Sequence, residues 1–192
     1  TASVTITQPT VLTATMGASP VNVLCNGGNN GSGTVTAGGG TVPYTYSWAP
    51  SGGTTATGSG LTAGSYTVTV KDKDGCTATA SVTITQPTVL TATMGAIPVN
   101  VLCNGGSNAS ATVTAGGGTS PYTYSWTPSG GSGASGTGLT AGSYTVNITD
   151  ADGCTATASV TITQPAVLIA TMGASPINVL CNGGNNGSAV VS

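Results

Sequence analysis

The chain has no His, no Arg, no Glu and no Phe in 192 residues, and all its formal charge lies in two short stretches, "KDKDGC" (71–76) and "DADGC" (150–154). Each absence excludes something. Charged residues make up 3%, against roughly 25% in ordinary soluble domains. With two Lys and no Arg, there is nothing to neutralise a phosphate backbone, which excludes nucleic acid as a partner. Without His or Glu, and with Asp only in two turns, the groups that move protons, activate nucleophiles or hold catalytic metals are missing, so no enzyme is expected. No apolar run is long enough for a membrane span, and no membrane insertion of this segment is expected. The chain has no initiator Met and no basic-then-apolar leader, and it starts and stops in mid-pattern. The expectation is an excerpt of a longer, processed chain.

What is present is Gly, Thr, Ser and Asn around a 38% hydrophobic share. Gly and Pro abundance suggests disorder, but regularly alternating Val, Ile, Leu and Tyr argue for packed strands. The segment "TASVTITQPTVLTATMGA" occurs at 1–18 and 79–96, and "TASVTITQPAVLIATMGA" at 157–174. The same interval separates Met16 from Met94 and Met94 from Met172. Residues 10–87 and 88–165 differ at 14 of 78 positions without insertion, so the two units share one fold. A period this long indicates a string of domains rather than a solenoid. Boundaries are placed after Gln86-Pro87 and Gln164-Pro165, because Pro cannot continue a ladder. The expected organisation is 1–9 as the last strand of a preceding repeat, repeats at 10–87 and 88–165, and 166–192 as the start of a further, truncated repeat.

Within a unit the period is two. Tyr44, Tyr46 and Trp48 alternate with Thr45 and Ser47, and Tyr66, Val68 and Val70 with Thr67 and Thr69. One buried face and one hydroxyl face define half-buried strands. Breakers at "NGGNNG", "GGGT", "PSGG", "LTAGS" and "KDKDG" divide the unit into six or seven strands. The expected fold is all-β: tandem immunoglobulin-like antiparallel β-sandwiches arranged as beads on a string.

The charged stretches read as hairpin turns, with Asp accepting backbone hydrogen bonds, Gly supplying a positive φ, and the charges directed into water. Asp72, Asp74, Asp150 and Asp152 are also weak calcium candidates, since D-x-D-G resembles the opening of calcium loops. The downstream bidentate acid of those loops is missing, so no metal is favoured and no cofactor is expected.

Each unit has one Cys in "LCNGG" and one in "DGC", 51 residues apart. The expected disulfides are Cys25–Cys76 and Cys103–Cys154, with Cys181 pairing beyond the excerpt. The spacing leaves open the alternative, Cys76 with Cys103 and Cys154 with Cys181, which would staple neighbouring units. Either arrangement implies an oxidising, extracellular setting, and no C-x-x-C or His companion suggests zinc.

Tyr46, Trp48, Tyr66, Tyr124, Trp126 and Tyr144 are assigned to the core. Exposed instead, the Trp faces could stack on sugar rings, and that supports the alternative of a glycan-binding module acting through repeated weak sites. Asn30, Asn108, Asn147 and Asn186 fit the N-glycosylation pattern.

The ordered series CNGG, YTYSW, LTAGSYTV and DGC, as in "CNGGNNGS…TVTAGGGTVPYTYSWAPSGG…LTAGSYTVTVKDKDGCTATASVTITQP", closely resembles the SprB-type repeats of giant gliding adhesins of Bacteroidetes-type bacteria. "KDKDG" departs from that family's usual "TDANG"-like turn. The resemblance implies a very long protein exported by type IX secretion to the bacterial cell surface. There it would form filaments whose partners are neighbouring repeats, surfaces and polysaccharide, acting as a stalk or adhesive fibre in attachment and gliding motility.

Overall fold

The computed structural model describes residues 3–172, 177–178, 182–185 and 187–191. Every run of alternating apolar and hydroxyl side chains within the two full units becomes a strand. The first unit has β1 (Thr13–Met16), β2 (Gly31–Gly38), β3 (Thr45–Ala49), β4 (Thr57–Leu61), β5 (Gly64–Lys71) and β6 (Thr77–Ile84). The second repeats them as β7 (Thr91–Met94), β8 (Ala109–Gly116), β9 (Thr123–Thr127), β10 (Ser135–Leu139), β11 (Gly142–Thr149) and β12 (Thr155–Ile162). No helix occurs among the described residues, so no helix there could cross a membrane.

Each unit is two three-stranded antiparallel sheets, β1-β2-β4 facing β3-β5-β6 and β7-β8-β10 facing β9-β11-β12. This is the strand order of an immunoglobulin-like sandwich, ABE against CFG. Strand D is replaced by the irregular segment 50–56, which lies between two strands that run the same way, β3 and β4.

Burial follows the alternation. Leu61, Val68, Val70 and Ile84 are sealed in the first core with Trp48 and Tyr66, and their counterparts Leu139, Val146, Ile148 and Ile162 in the second with Trp126 and Tyr144. On the outer face Thr67 and Ser81 share a hydrogen bond between hydroxyls at 3.0 Å. The two core clusters have no residue in common, so each unit closes its own core. Tyr66 makes the tyrosine corner of this fold. Its hydroxyl donates to the Thr62 carbonyl (3.2 Å) and accepts from the Thr62 N–H (3.1 Å).

Residues 3–9, expected as a strand, are in none here, and Val4 and Ile6 stand exposed. Their counterparts Val82 and Ile84 lie in β6, paired along its length with β5, so the place beside β5 is already filled. In the last segment the bridge Ile177–Ser188 repeats Val21–Ser32 and Val99–Ser110.

Candidate functional site

The feature that departs from both pairings open to the sequence lies where the two units meet. At the exit of the first unit, the loop between β1 and β2 grips the end of the chain's path through the sandwich. The Val23 N–H donates to the Thr85 carbonyl (2.9 Å), the Thr85 N–H to Asn22 Oδ1 (2.9 Å), the Gly27 N–H to Gln86 Oε1 (2.8 Å), and Asn26 Nδ2 to the Pro87 carbonyl (2.9 Å). Cys25 is thereby held beside the exit. The second unit repeats the grip with Asn100, Asn104 and Gln164.

At the entry of a unit the partner is the charged hairpin. In the second unit the Gly118 N–H donates to the Thr88 carbonyl (2.9 Å), and the adjoining Thr119 N–H to Asp150 Oδ2 (3.0 Å). The hairpin carrying Cys154 therefore rests beside the first residues of its unit. Exit and entry are consecutive in sequence, so the two cysteines meet. Cys25 and Cys154 form a disulfide with Cα atoms 5.7 Å apart and a sequence separation of 129. Around it a cleft of about 370 Å³ is lined by Asn26, Val89, Leu90 and Thr155 as well as both cysteines.

This corrects the expected pairs Cys25–Cys76 and Cys103–Cys154. Cys76 immediately precedes β6 and the Cys25 loop holds the residues that follow it, so the eight-residue strand lies between them. At 3.4 Å per residue that is roughly 27 Å, beyond the ~7 Å limit for bridging Cα atoms. The alternative Cys76–Cys103 is not formed either, since both are free and exposed. Cys181 lies outside the described residues.

The segments that contain the gripping loops, residues 17–53 and 95–133, match the SprB repeat family model. These two segments are similar to SprB repeats. No curated protein matches the chain. Among solved structures the chain is similar to one titled for Dscam isoform specificity, at 16% identity and TM-score 0.36, over 79% of this chain and 46% of that one. It is likewise similar to a C-terminal 282-residue fragment of intimin in complex with the intimin-binding domain of its translocated receptor, at 16% identity and TM-score 0.38, over 88% and 67%. An I-band fragment of titin, I67–I69, matches at 16% identity and TM-score 0.38, over 91% and 71%. The chain thus spans less than half of the Dscam chain it resembles.

In both units the first Asp of the charged turn is buried, not directed into water as expected: Asp72 and Asp150 are 5% and 6% exposed. Asp72 Oδ1 accepts from the Cys76 N–H (2.8 Å) and Oδ2 from the Thr41 N–H (3.0 Å). Asp150 adds the Asp152 N–H (3.0 Å) to the Cys154 N–H (2.9 Å) and the Thr119 N–H. These donors hold both carboxyls below the ordinary carboxylate value, the Thr41 or Thr119 N–H most of all, against the opposing effect of burial. The close fit needs Gly40, at φ +57°, where a Cβ would stand 2.7 Å from Asp72 Oδ2. Asp74 and Asp152 remain outside this contact network as carboxylates. Among the described residues no three His, Cys, Asp or Glu side chains gather as metal ligands.

The Trp48 and Trp126 rings are each 6% exposed, with Nε1 donating to the Thr55 and Gly133 carbonyls at 2.9 Å. Gly58 and Gly136 lie under the rings, where a Cβ would come within about 3 Å of the indole. Tyr46 and Tyr124 are half-buried against the same cores. Of the sequon residues, Asn30 and Asn108 are exposed but use Oδ1 to accept from the Leu24 and Leu102 N–H groups. Asn147 is exposed on β11, and Asn186 lies outside the described residues. The signal that could have located the clasp was the two Asn-Gly-Gly loops, each preceded by Cys, together with the Gln-Pro ends they bind.

Proposed function

We propose that this chain is part of the shaft of a very long cell-surface adhesin filament, outside a bacterial cell, serving surface attachment and gliding. The observation that carries the reading is the disulfide between the two successive units, each of which contains a segment similar to the SprB repeat. A covalent strap between neighbours restricts their relative rotation, which a stalk requires and an independently binding module does not. The near-identity of the units supports the same reading, because a spacer needs only length and stiffness. A disulfide also argues for an oxidising compartment and thus for export. Catalysis plays no part in this reading. Burial of Trp48 and Trp126 withdraws the two indole faces from stacking on a sugar ring, which favours the shaft over repeated glycan sites; surfaces or polysaccharide would be met elsewhere on the filament.

Eight-residue strands with loops at both ends give a unit roughly 35–40 Å long. Cells labelled with an antibody to this chain should show thin surface filaments, and purified arrays should show an axial repeat in that range. Cytoplasmic label, or collapsed strings without a repeat, would remove the reading. Binding of immobilised polysaccharide by the chain alone would instead restore the glycan module.

A further inference from the structure

The chain contains the two halves of a second clasp, each open. The complete cleft at Cys25–Cys154 is made of an exit half, Cys25 and Asn26, the linker residues Val89 and Leu90, and an entry half, Cys154 and Thr155. One period later, Cys103, Asn104, Val167 and Leu168 form the same exit half and linker, with no entry half against them. At the other end of the molecule, Val11, Leu12, Cys76 and Thr77 form the same linker and entry half, with no exit half. Both cysteines are free and exposed. The gripping bonds that position Cys103 are already made, from Asn104 to Pro165 and from Gly105 to Gln164.

We infer that the face around Cys103 is a docking site for the Asp-Gly-Cys hairpin of another unit of this repeat joined after it, and that the face around Cys76 receives the Cys-Asn-Gly-Gly loop of a unit joined before it. Each contact closes as a disulfide, as at Cys25–Cys154. Two thiols are oxidised and their two protons and two electrons pass to the thiol–disulfide oxidants of the export compartment.

The mechanical consequence is specific. Each disulfide bypasses most of two units, with a sequence separation of 129, whereas Cys76 and Cys103 are joined by only the short stretch that ends one unit and opens the next. In an array clasped at every junction, one covalent rail therefore runs from a DGC cysteine along that stretch to the next CNGG cysteine and then across a disulfide to another DGC cysteine, once per two units. A second rail runs alongside, shifted by one unit. At about 3.5 Å per residue a rail step cannot exceed roughly 100 Å, whereas two folded units already span roughly 70–80 Å. Reduced, the same two units could be drawn out to about 550 Å. Overlapping clasps hold the stretch of the shaft to less than about half its resting length even if sandwiches open under load.

The test is a four-unit chain carrying residues 10–165 twice in tandem; each unit closes its own core, so each folds in this setting. After air oxidation and denaturation, thiol titration should find two free thiols among eight cysteines, and peptide mapping should link every CNGG cysteine but the last to the DGC cysteine one unit later. Zero thiols, more than two, or links from a DGC cysteine to the following CNGG cysteine would overturn the inference. Pulling single molecules by their ends gives an independent readout. The oxidised array should lose most of its extension, and dithiothreitol should restore it; equal extension in both conditions would equally overturn it.

Discussion

The Asp72 carboxylate and the Thr41 N–H lie 3.0 Å apart, and this bond ties the β5–β6 hairpin to the loop between β2 and β3. With the Cys76 N–H on its other oxygen, one side chain fixes both the shape of the turn and its seat on the sandwich. Cys76 is held in place by the same group.

A pH dependence follows from that arrangement. In both units the folded-state value lies below the ordinary 3.8. The carboxylates therefore contribute stability that is complete above that value and is lost as pH falls through the lower folded one. The melting temperature should be flat from neutral pH to about 5 and fall below about 4. Asp72→Asn with Asp150→Asn should melt lower at pH 7 and lose most of the acid-dependent fall. An unchanged acid limb in the double variant would contradict this assignment.

Breaking the clasp should weaken the pair without unfolding either unit. Closing a loop of sequence separation 129 is worth about 5 kcal/mol in the chain-entropy model, an upper figure. Cys25→Ser, or reduction, should lower the melting temperature while circular dichroism keeps its strand signature. Cys76→Ser should change neither. Equal effects of the two substitutions would show that Cys25 is not the bonded residue.

The tyrosine corner gives a third measurement. Tyr66→Phe removes a hydroxyl that both donates to and accepts from the Thr62 backbone inside a 4% exposed site. The loss should be about 1–2 kcal/mol in urea unfolding, and Tyr144→Phe should match it in the second unit, where Thr140 plays the same part. Gly58→Val should cost more, because the new side chain would press on the Trp48 ring.

Calcium is tested by chelation. A ligand bound only to the folded form adds about 2.7 kcal/mol at a hundredfold excess over Kd. With both Asp72 oxygens and both Asp150 oxygens occupied by N–H groups, a chelator should leave both units unchanged. Lys71 and Lys73 of the first turn are Thr149 and Ala151 in the second, so a drop confined to 88–165 would mark a calcium site there.

Much of this protein is written locally. The period-two alternation of residues such as Tyr66, Val68 and Val70 dictates strands with one wet and one dry face, because successive side chains on a strand point to opposite sides. Repetition of the whole unit, from 10–87 to 88–165, then dictates that whatever one does, the next does too. The charged turns were placed correctly along the chain, but the burial of Asp72 and Asp150 was not visible there. It depends on Thr41 and Thr119, 31 residues away, which only the packing of two loops brings near.

The cysteine pairing lay wholly beyond the sequence. Six or seven strands were compatible with the pattern, and that count decides whether two loops share an end of the sandwich. In the folded chain segment 50–56 returns along the unit without forming a strand, so the Cys25 loop sits at the exit and the Cys76 hairpin at the entry. Sequence determined which residues could bond, through their chemistry and their period. The tertiary structure chose the partner, because a disulfide spans only a few ångströms and an intact strand stands between the two cysteines of one unit, whereas consecutive units bring exit and entry together.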